Sequence, residues 1–273
     1  MYGKIYGRFF LKQDLGIEDD NTPDTVTISE ILETYPLWDG WVSKLTEKNK
    51  QLFTMFETSD VHPIVIEKMK LFDKVIVPYR YLKNILVKHG INCEALDWYT
   101  SPLIRSKPDV KPKVIDKNRI IFLYNGTNDI RKNVTTLTKI FACALENTNH
   151  ILIVKTNKPD GLTVSKNINI ITDRISNETL TSLFNISDYC VTCTHGEGVG
   201  LLHLEAQYFN KPILSHDQGV LGELGVDIIT LPSTTVRVNH SQVPTFLKNV
   251  FHDNWWEVSE VEAVKVIKSI MNT

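Results

Sequence analysis

The sequence predicts an α/β fold of the doubly wound kind, in which parallel strands are joined by crossover helices. Three observations carry that expectation. From about residue 119 onward, short apolar runs rich in β-formers alternate with helical stretches. The helical stretches place their apolar residues at three- and four-residue steps. A glycine-rich turn, HGEGVG at residues 195–200, joins one of the apolar runs to a helix.

In chain order, the acidic IEDDNTPD near residue 20 reads as a solvated loop. KVIVP (74–78) reads as a strand, and YRYLKNILVKHG as the helix after it, closing at Gly90. SPLIRSKPDVKPKVIDK (101–118) has three prolines, many charges and few large apolar residues, as an inter-domain linker does. RIIFLYN (119–125) then opens the regular half as a buried strand. The helix after it sets Val134, Leu137, Ile140, Phe141, Ala144 and Leu145 on one face. HILIVKT, INIIT, DYCVTC, KPILS and VDIIT read as strands, with NETLTSLFNIS and LLHLEAQYF as helices between them. WWEVSEVEAVKVIKSI reads as a terminal helix beginning at Trp255 and Trp256, with a packing stripe of Val and Ile. The expected organisation is therefore residues 1–110, residues 111–254, and a terminal helix over 255–273 that packs back toward the first domain.

A chain of 273 residues with 42% hydrophobic content has ample apolar surface for a core, which argues against disorder. A formal charge of -2 offers no basic field of the kind that draws nucleic acid. Four cysteines are too few for a disulfide framework, and no stretch approaches the roughly 20 apolar residues of a membrane span. A cytoplasmic protein with no transmembrane segment is expected; oligomeric state is not specified.

The glycine-rich turn is the most informative segment. Glycines let a backbone approach a ligand closely, and the unpaired amides and positive dipole end of a following helix favour a phosphate. Glu197 lies on the turn and Glu205 just over one turn into the helix, where a carboxylate can accept hydrogen bonds from ribose hydroxyls. His195 and His203 flank the turn, but no third ligand has suitable spacing, so both read as structural and no metal site is expected. Cys190 and Cys193 have redox spacing but lie in a strand run, where residues three apart point to opposite faces. Arg80, Lys83 and Lys88, near Tyr79 and Tyr81, read as a solvated helix face.

The Glu-x7-Glu spacing in EGVGLLHLE, followed by KPIL, resembles the donor motif of family 4 glycosyltransferases of the GT-B fold. YNGTNDIRKNVTTL is similar to that family's strand ending in Gly-Arg and its helix opened by Arg-Lys-Asn: Gly126, Arg131, Lys132 and Asn133 match, while Thr127 stands where the family usually has arginine. ISNETLTSLFNISDYCVTC, ETSDVHP and FDKVIVPYRYLKNILVKHGI look like further family segments.

The resemblance implies two Rossmann-like domains facing a cleft, with a reduced N-terminal acceptor-side domain and a C-terminal one that binds a nucleotide-sugar. It implies retaining, metal-independent glycosyl transfer with no cofactor, from a UDP-sugar or a GDP-sugar to a glycan or other hydroxyl acceptor. Lys132 would stabilise charge on the diphosphate, Glu197 would hold the sugar hydroxyls, and His62 would reach the transferred sugar. Gly126, Thr127, Arg131, Arg174 in the ITDRIS loop, Gly198, Val199, Gly200, Leu201 and Glu205 complete the implied donor site. Thr127 also motivates an alternative on the same scaffold, a non-catalytic protein that binds nucleotide-sugar or glycan.

Overall fold

The structure, a computed structural model, describes residues 4–7, 25–29, 46, 48–96, 118–245, 248 and 250–272. The acidic segment near residue 20 and all but the last residue of the 101–118 linker lie outside the described residues. The chain divides into two compact units. One lies within Met1–Thr100 and takes in Glu197–Val199 and Arg237–Trp255; the other lies within Ser101–Gly196 and takes in Gly200–Val236 and Trp256–Thr273. A single continuous segment from 111 to 254 does not foresee these two excursions into the first unit.

In the first unit, β1 (Lys4–Gly7), β2 (Thr25–Ser29), β3 (Asn49–Phe53), β4 (Lys74–Val77) and β5 (Cys93–Ala95) form a sheet in chain order, each pair parallel. Helix α1 (Pro63–Met69) begins with a proline whose missing N–H costs nothing at that position, and buries Val65, Ile66 and Met69. Helix α2 (Arg80–Lys88) buries Leu82, Ile85 and Leu86 along one stripe. Leu52, Phe53, Phe56, Val75 and Val77 fill the core beneath them.

The second unit holds a parallel six-stranded sheet of order β11-β10-β9-β6-β7-β8. Its strands are β6 (Ile121–Asn125), β7 (Ile151–Lys155), β8 (Ile168–Ile171), β9 (Tyr189–Val191), β10 (Ile213–Ser215) and β11 (Ile228–Thr230). The first four residues of β6 and of β7 are all buried, as strands covered on both faces require. The chain starts in the middle at β6, builds outward to β8, and returns to the other side of β6 as β9 before continuing to β11. Helix α3 (Val134–Ala144) buries the predicted Val134, Leu137, Ile140, Phe141 and Ala144, and Phe122 meets Phe141 edge-on at 5.0 Å. Helices α4 (Asn177–Ile186) and α5 (Leu201–Tyr208) follow β8 and β9.

The terminal segment departs from expectation. Trp255 and Trp256 lie in a strand, β13 (Asn254–Val258), which pairs with β12 (Ser233–Arg237), and the terminal helix, α6 (Glu260–Met271), starts only after it. The Ser259 hydroxyl accepts from the Glu262 amide at 3.5 Å, so Ser-x-x-Glu marks the true helix start. Nor is the helix's packing partner the expected one: α6 packs on α3 within the second unit, with Ala263 and Ile267 fully buried in that core.

Candidate functional site

The crossovers leaving β6 and β9 run in opposite directions along the sheet, which makes the gap between the carboxyl ends of these paired strands a topological switch point. Open α/β sheets bind ligands in that crevice, because two loops diverge there and leave the strand ends uncovered. The strand order of the first unit follows the chain and has no such reversal among its described residues.

The loop after β6 is tightly specified. A Cβ on Gly126 would stand 2.6 Å from the Tyr124 hydroxyl, which donates to the Thr127 carbonyl at 2.9 Å, so glycine is the residue that fits. Thr127 is exposed, and its hydroxyl donates to Asp129 at 2.6 Å. The second Asp129 oxygen accepts from the Lys132 amide at 3.0 Å and so fixes the backbone under the lysine. Asn128 is buried and donates to the carbonyls of Asp160 at 2.8 Å and Lys158 at 3.3 Å. Asn133, left-handed at φ 51, leads the chain into α3.

The loop after β9 is laced to this one through Arg131. The guanidinium donates to the Gly196 carbonyl at 2.9 Å, while the Arg131 carbonyl accepts from the His195 amide at 2.7 Å and the Thr194 hydroxyl at 3.3 Å. His195 is buried, with Nδ1 2.9 Å from the Trp256 carbonyl. A carbonyl can only accept, so Nδ1 carries the proton. Burial pushes the His195 pKa down, against the opposing effects of that hydrogen bond and of the Glu257 charge. Ring and amide of His195 are thus both tied to backbone carbonyls, of Trp256 and Arg131.

Gly200 enters α5 in the left-handed region at φ 76, where a Cβ would meet Leu224 at 2.7 Å. Leu201 opens the helix and is exposed. Glu205 is only 8% exposed, and its Oε2 accepts from the Asn125 side-chain amide at 3.3 Å. The corner at the switch point is thus bridged by two separate hydrogen bonds, Asn125 to Glu205 and Arg131 to Gly196. Asn125 was missed by sequence reasoning; the signal was a polar residue closing an apolar strand directly before the glycine.

Glu197, Gly198 and Val199 group with the first unit, where Gly198 backs onto Met55 and the Val199 carbonyl accepts from the Tyr79 hydroxyl at 3.0 Å. His62, also in the first unit, caps α1 by accepting from the Ile64 amide at 3.2 Å, and its ring meets His252 edge-on at 4.9 Å. Burial lowers its pKa, as do nearby His252 and His240. Arg174 is exposed on the loop after β8, the outermost strand beyond β7. Cys190 and Cys193 are free and buried, and burial pushes both thiols up, with the Glu205 charge adding to the effect at Cys190. Among the described residues no group of three His, Cys, Asp or Glu is placed to hold a metal, and no helix is long and apolar enough to cross a membrane.

No family model matches the chain, and no curated protein matches it in sequence. Solved structures do match in fold. Apo OtsA aligns at a TM-score of 0.58 and 10% identity, over 89% of this chain and 69% of OtsA. The N-terminal domain of Candida albicans trehalose-6-phosphate phosphatase aligns at 0.57 and 10% identity, over 91% of this chain and 62% of that one. A variant of S. aureus TarM, solved with fondaparinux, alpha-GlcNAc-glycerol and UDP, aligns at 0.56 and 12% identity, over 90% of this chain and 48% of that one. The chain thus spans between about half and two thirds of the length of these proteins. It has a Rossmann-like α/β fold with parallel sheets, structurally similar to GT-B glycosyltransferases.

Proposed function

We propose that the protein is a retaining, metal-independent glycosyltransferase whose second unit holds the nucleotide diphosphate of a sugar donor at the switch point between β6 and β9. The observation that carries this reading is the corner itself: a buried carboxylate, Glu205, tied to the end of β6 by Asn125, beside a loop that carries Arg131 and Lys132. An anion with a neighbouring diol suits that combination of cations, amides and one acceptor-only carboxylate. The fold likeness to glycosyltransferases supports it, as does the UDP in the TarM complex, which favours a UDP-sugar over a GDP-sugar.

In this reading Lys132 and the amides near Gly200 stabilise the departing diphosphate. Glu205 accepts from the ribose, Glu197 holds the sugar hydroxyls, and Arg174 lies toward the base. The first unit, a reduced acceptor-side domain, serves the acceptor, and His62 belongs to that unit. The bond from the anomeric carbon to the diphosphate oxygen breaks, a bond to the acceptor oxygen forms on the same face, and the acceptor proton leaves with the diphosphate.

One observation favours a second reading, a non-catalytic nucleotide-sugar or glycan-binding protein: the Thr127 hydroxyl, at the position where the resembling family carries arginine, is engaged with Asp129. Thermal-shift screening against UDP-, GDP-, ADP- and dTDP-sugars in EDTA tests the donor site, since a ligand that binds the native state raises its apparent stability. A selective shift that Lys132→Ala and Glu205→Ala each abolish supports it; no shift with any donor rejects it. Release of nucleoside diphosphate on adding acceptor then separates transfer from binding alone.

A further inference from the structure

The segment Arg237–Trp255 groups with the first unit, where a short polar seam fastens it to residues 58–62. The Ser59 amide donates to the Asn254 carbonyl at 2.8 Å, the Asn254 amide donates to the Ser59 hydroxyl at 3.1 Å, and that hydroxyl donates to Asp253 at 2.9 Å. Asp60 and His252 form an antiparallel bridge, and the rings of His62 and His252, both half-buried, meet edge-on at 4.9 Å. His240, on the same segment as His252, is close enough for its charge to act on His62. The carboxylates on the two sides of the seam are engaged with other groups. Asp60 accepts from the Val61 amide at 2.7 Å and lies 2.6 Å from Nε2 of His89, at the end of α2. On the same helix, burial first and the Asp60 charge second push the Tyr81 pKa up to about 12. Asp253 takes the Ser59 hydroxyl and, at 2.8 Å, the Asn254 side-chain amide.

We propose that this seam is a proton-operated latch: when His62, His240 and His252 become charged together, the Arg237–Trp255 segment loosens from residues 58–62. Two effects act in the same direction. His62 caps α1 through Nδ1, which accepts from the Ile64 amide at 3.2 Å, so the neutral ring carries its proton on Nε2. A second proton must go to Nδ1, which then cannot accept, and the ring loses its place at the helix start. Charge on His62 also meets charge on His252 and His240, while Asp60 and Asp253 are committed to other partners. Burial first, and then those two charges, hold the His62 pKa below its ordinary 6.5. A ring released with the segment regains the ordinary value, so the loosened state binds protons more readily than the closed one. Loosening is therefore favoured progressively as pH falls below about 6.5. The His89–Asp60 pair gains attraction on protonation, but both residues lie on the same side of the seam. The latch stands independently of the donor-site reading above.

The test is hydrogen exchange of the full chain, read by mass spectrometry between pH 7.5 and about 5 and corrected for the intrinsic rate at each pH. The reporters are peptides that contain the amides of Ser59, Asn254 and His252, the last of which donates to the Thr58 hydroxyl at 3.4 Å. In the wild type their protection is expected to fall about five-fold toward pH 5, the scale of like charges at a half-exposed seam. The double variant His240→Gln/His252→Asn keeps polar side chains that do not titrate, and its fall should shrink to about two-fold, the part left to the His62 cap. Wild-type protection that does not change with pH overturns the latch, as does a fall equally large in the double variant. Should that variant lose the native melting transition, the wild type in 1 M sodium chloride takes its place, since such salt screens charges over about 3 Å. The fall should again shrink to about two-fold, and an undiminished fall overturns the proposal.

Discussion

Arg131 fastens the loop after β6 to the turn after β9: its guanidinium donates to the Gly196 carbonyl at 2.9 Å. The backbones cross-link at the same place, because the His195 amide donates to the Arg131 carbonyl at 2.7 Å. Side chain and main chain of one residue thus close the two loops that border the switch point. Arg131→Met keeps the aliphatic stem and removes the donor, leaving the Gly196 carbonyl short of a charged partner. It should cost about 1–2 kcal/mol, allowing for partial exposure of the guanidinium. Arg131→Lys should recover only part of this, since an ammonium lacks the planar fork. Urea unfolding followed by tryptophan fluorescence measures both, and an unchanged midpoint in Arg131→Met would show that the bond contributes nothing to stability.

Gly200 and Gly225 separate backbone strain from crowding. Both have positive φ, at 76 and 62, but a Cβ on Gly200 meets Leu224 at 2.7 Å and Leu221 at 3.2 Å, while one on Gly225 meets nothing within 4 Å. Gly225→Ala should therefore cost only the left-handed strain, about 1–2 kcal/mol. Gly200→Ala adds an overpacking penalty and should cost about 2–4 kcal/mol in all. Comparing the two unfolding midpoints tests this; equal losses would mean that the leucines move aside freely and that the glycine at the start of α5 is there for its φ alone.

The strands and helices around the second core were legible because each is long enough to show its period. Four successive buried residues in β6 and in β7, and the Val134–Ala144 stripe, leave no competing assignment. Short elements were not so clear: Asn254–Val258 fits a helical stripe as well as a strand, and Ser259 before Glu262 was the signal that should have moved the helix start. The site was half legible. Glycines and glutamates announce themselves by type, but the Arg131–Gly196 and Asn125–Glu205 bonds span 65 and 80 residues and depend on strand order, which no local pattern contains. The excursion of Glu197–Val199 into the first unit was hidden for the same reason.

His195 gives the second unit a pH dependence of known sign. Its folded pKa lies below the ordinary value of 6.5 because burial disfavours the charged ring, and this outweighs the hydrogen bond to the Trp256 carbonyl and the Glu257 charge, which both act the other way. When pH falls below about 6.5, the unfolded chain binds a proton that the native state refuses, so unfolding becomes easier. The contribution is full above the unfolded pKa and is lost progressively as pH falls toward the folded one. His195→Asn retains a donor near the Nδ1 position without titrating. Between pH 7.5 and about 5 the wild type should lose more stability than this variant, while the two curves run parallel above pH 7. Parallel curves across the whole range would show that His195 does not titrate differently in the two states.

The thiols should report burial directly. The chain has four cysteines, all free in the fold: Cys190 and Cys193 buried, Cys93 half-buried and Cys143 exposed. The thiolate is the reactive form, and burial raises the pKa of Cys190 and Cys193 above the ordinary range and pushes Cys93 up to about 12. At pH 8 a disulfide reagent such as Ellman's should therefore modify Cys143 rapidly and Cys93 slowly. Cys190 and Cys193 should react only after denaturant is added. Mass mapping of the labelled peptides identifies each site. Because Cys190 sits beneath the Glu205 corner, its protection also gauges whether that corner stays closed, and rapid native-state labelling of Cys190 would mean that the β9 end of the sheet opens far more readily than its complete burial implies.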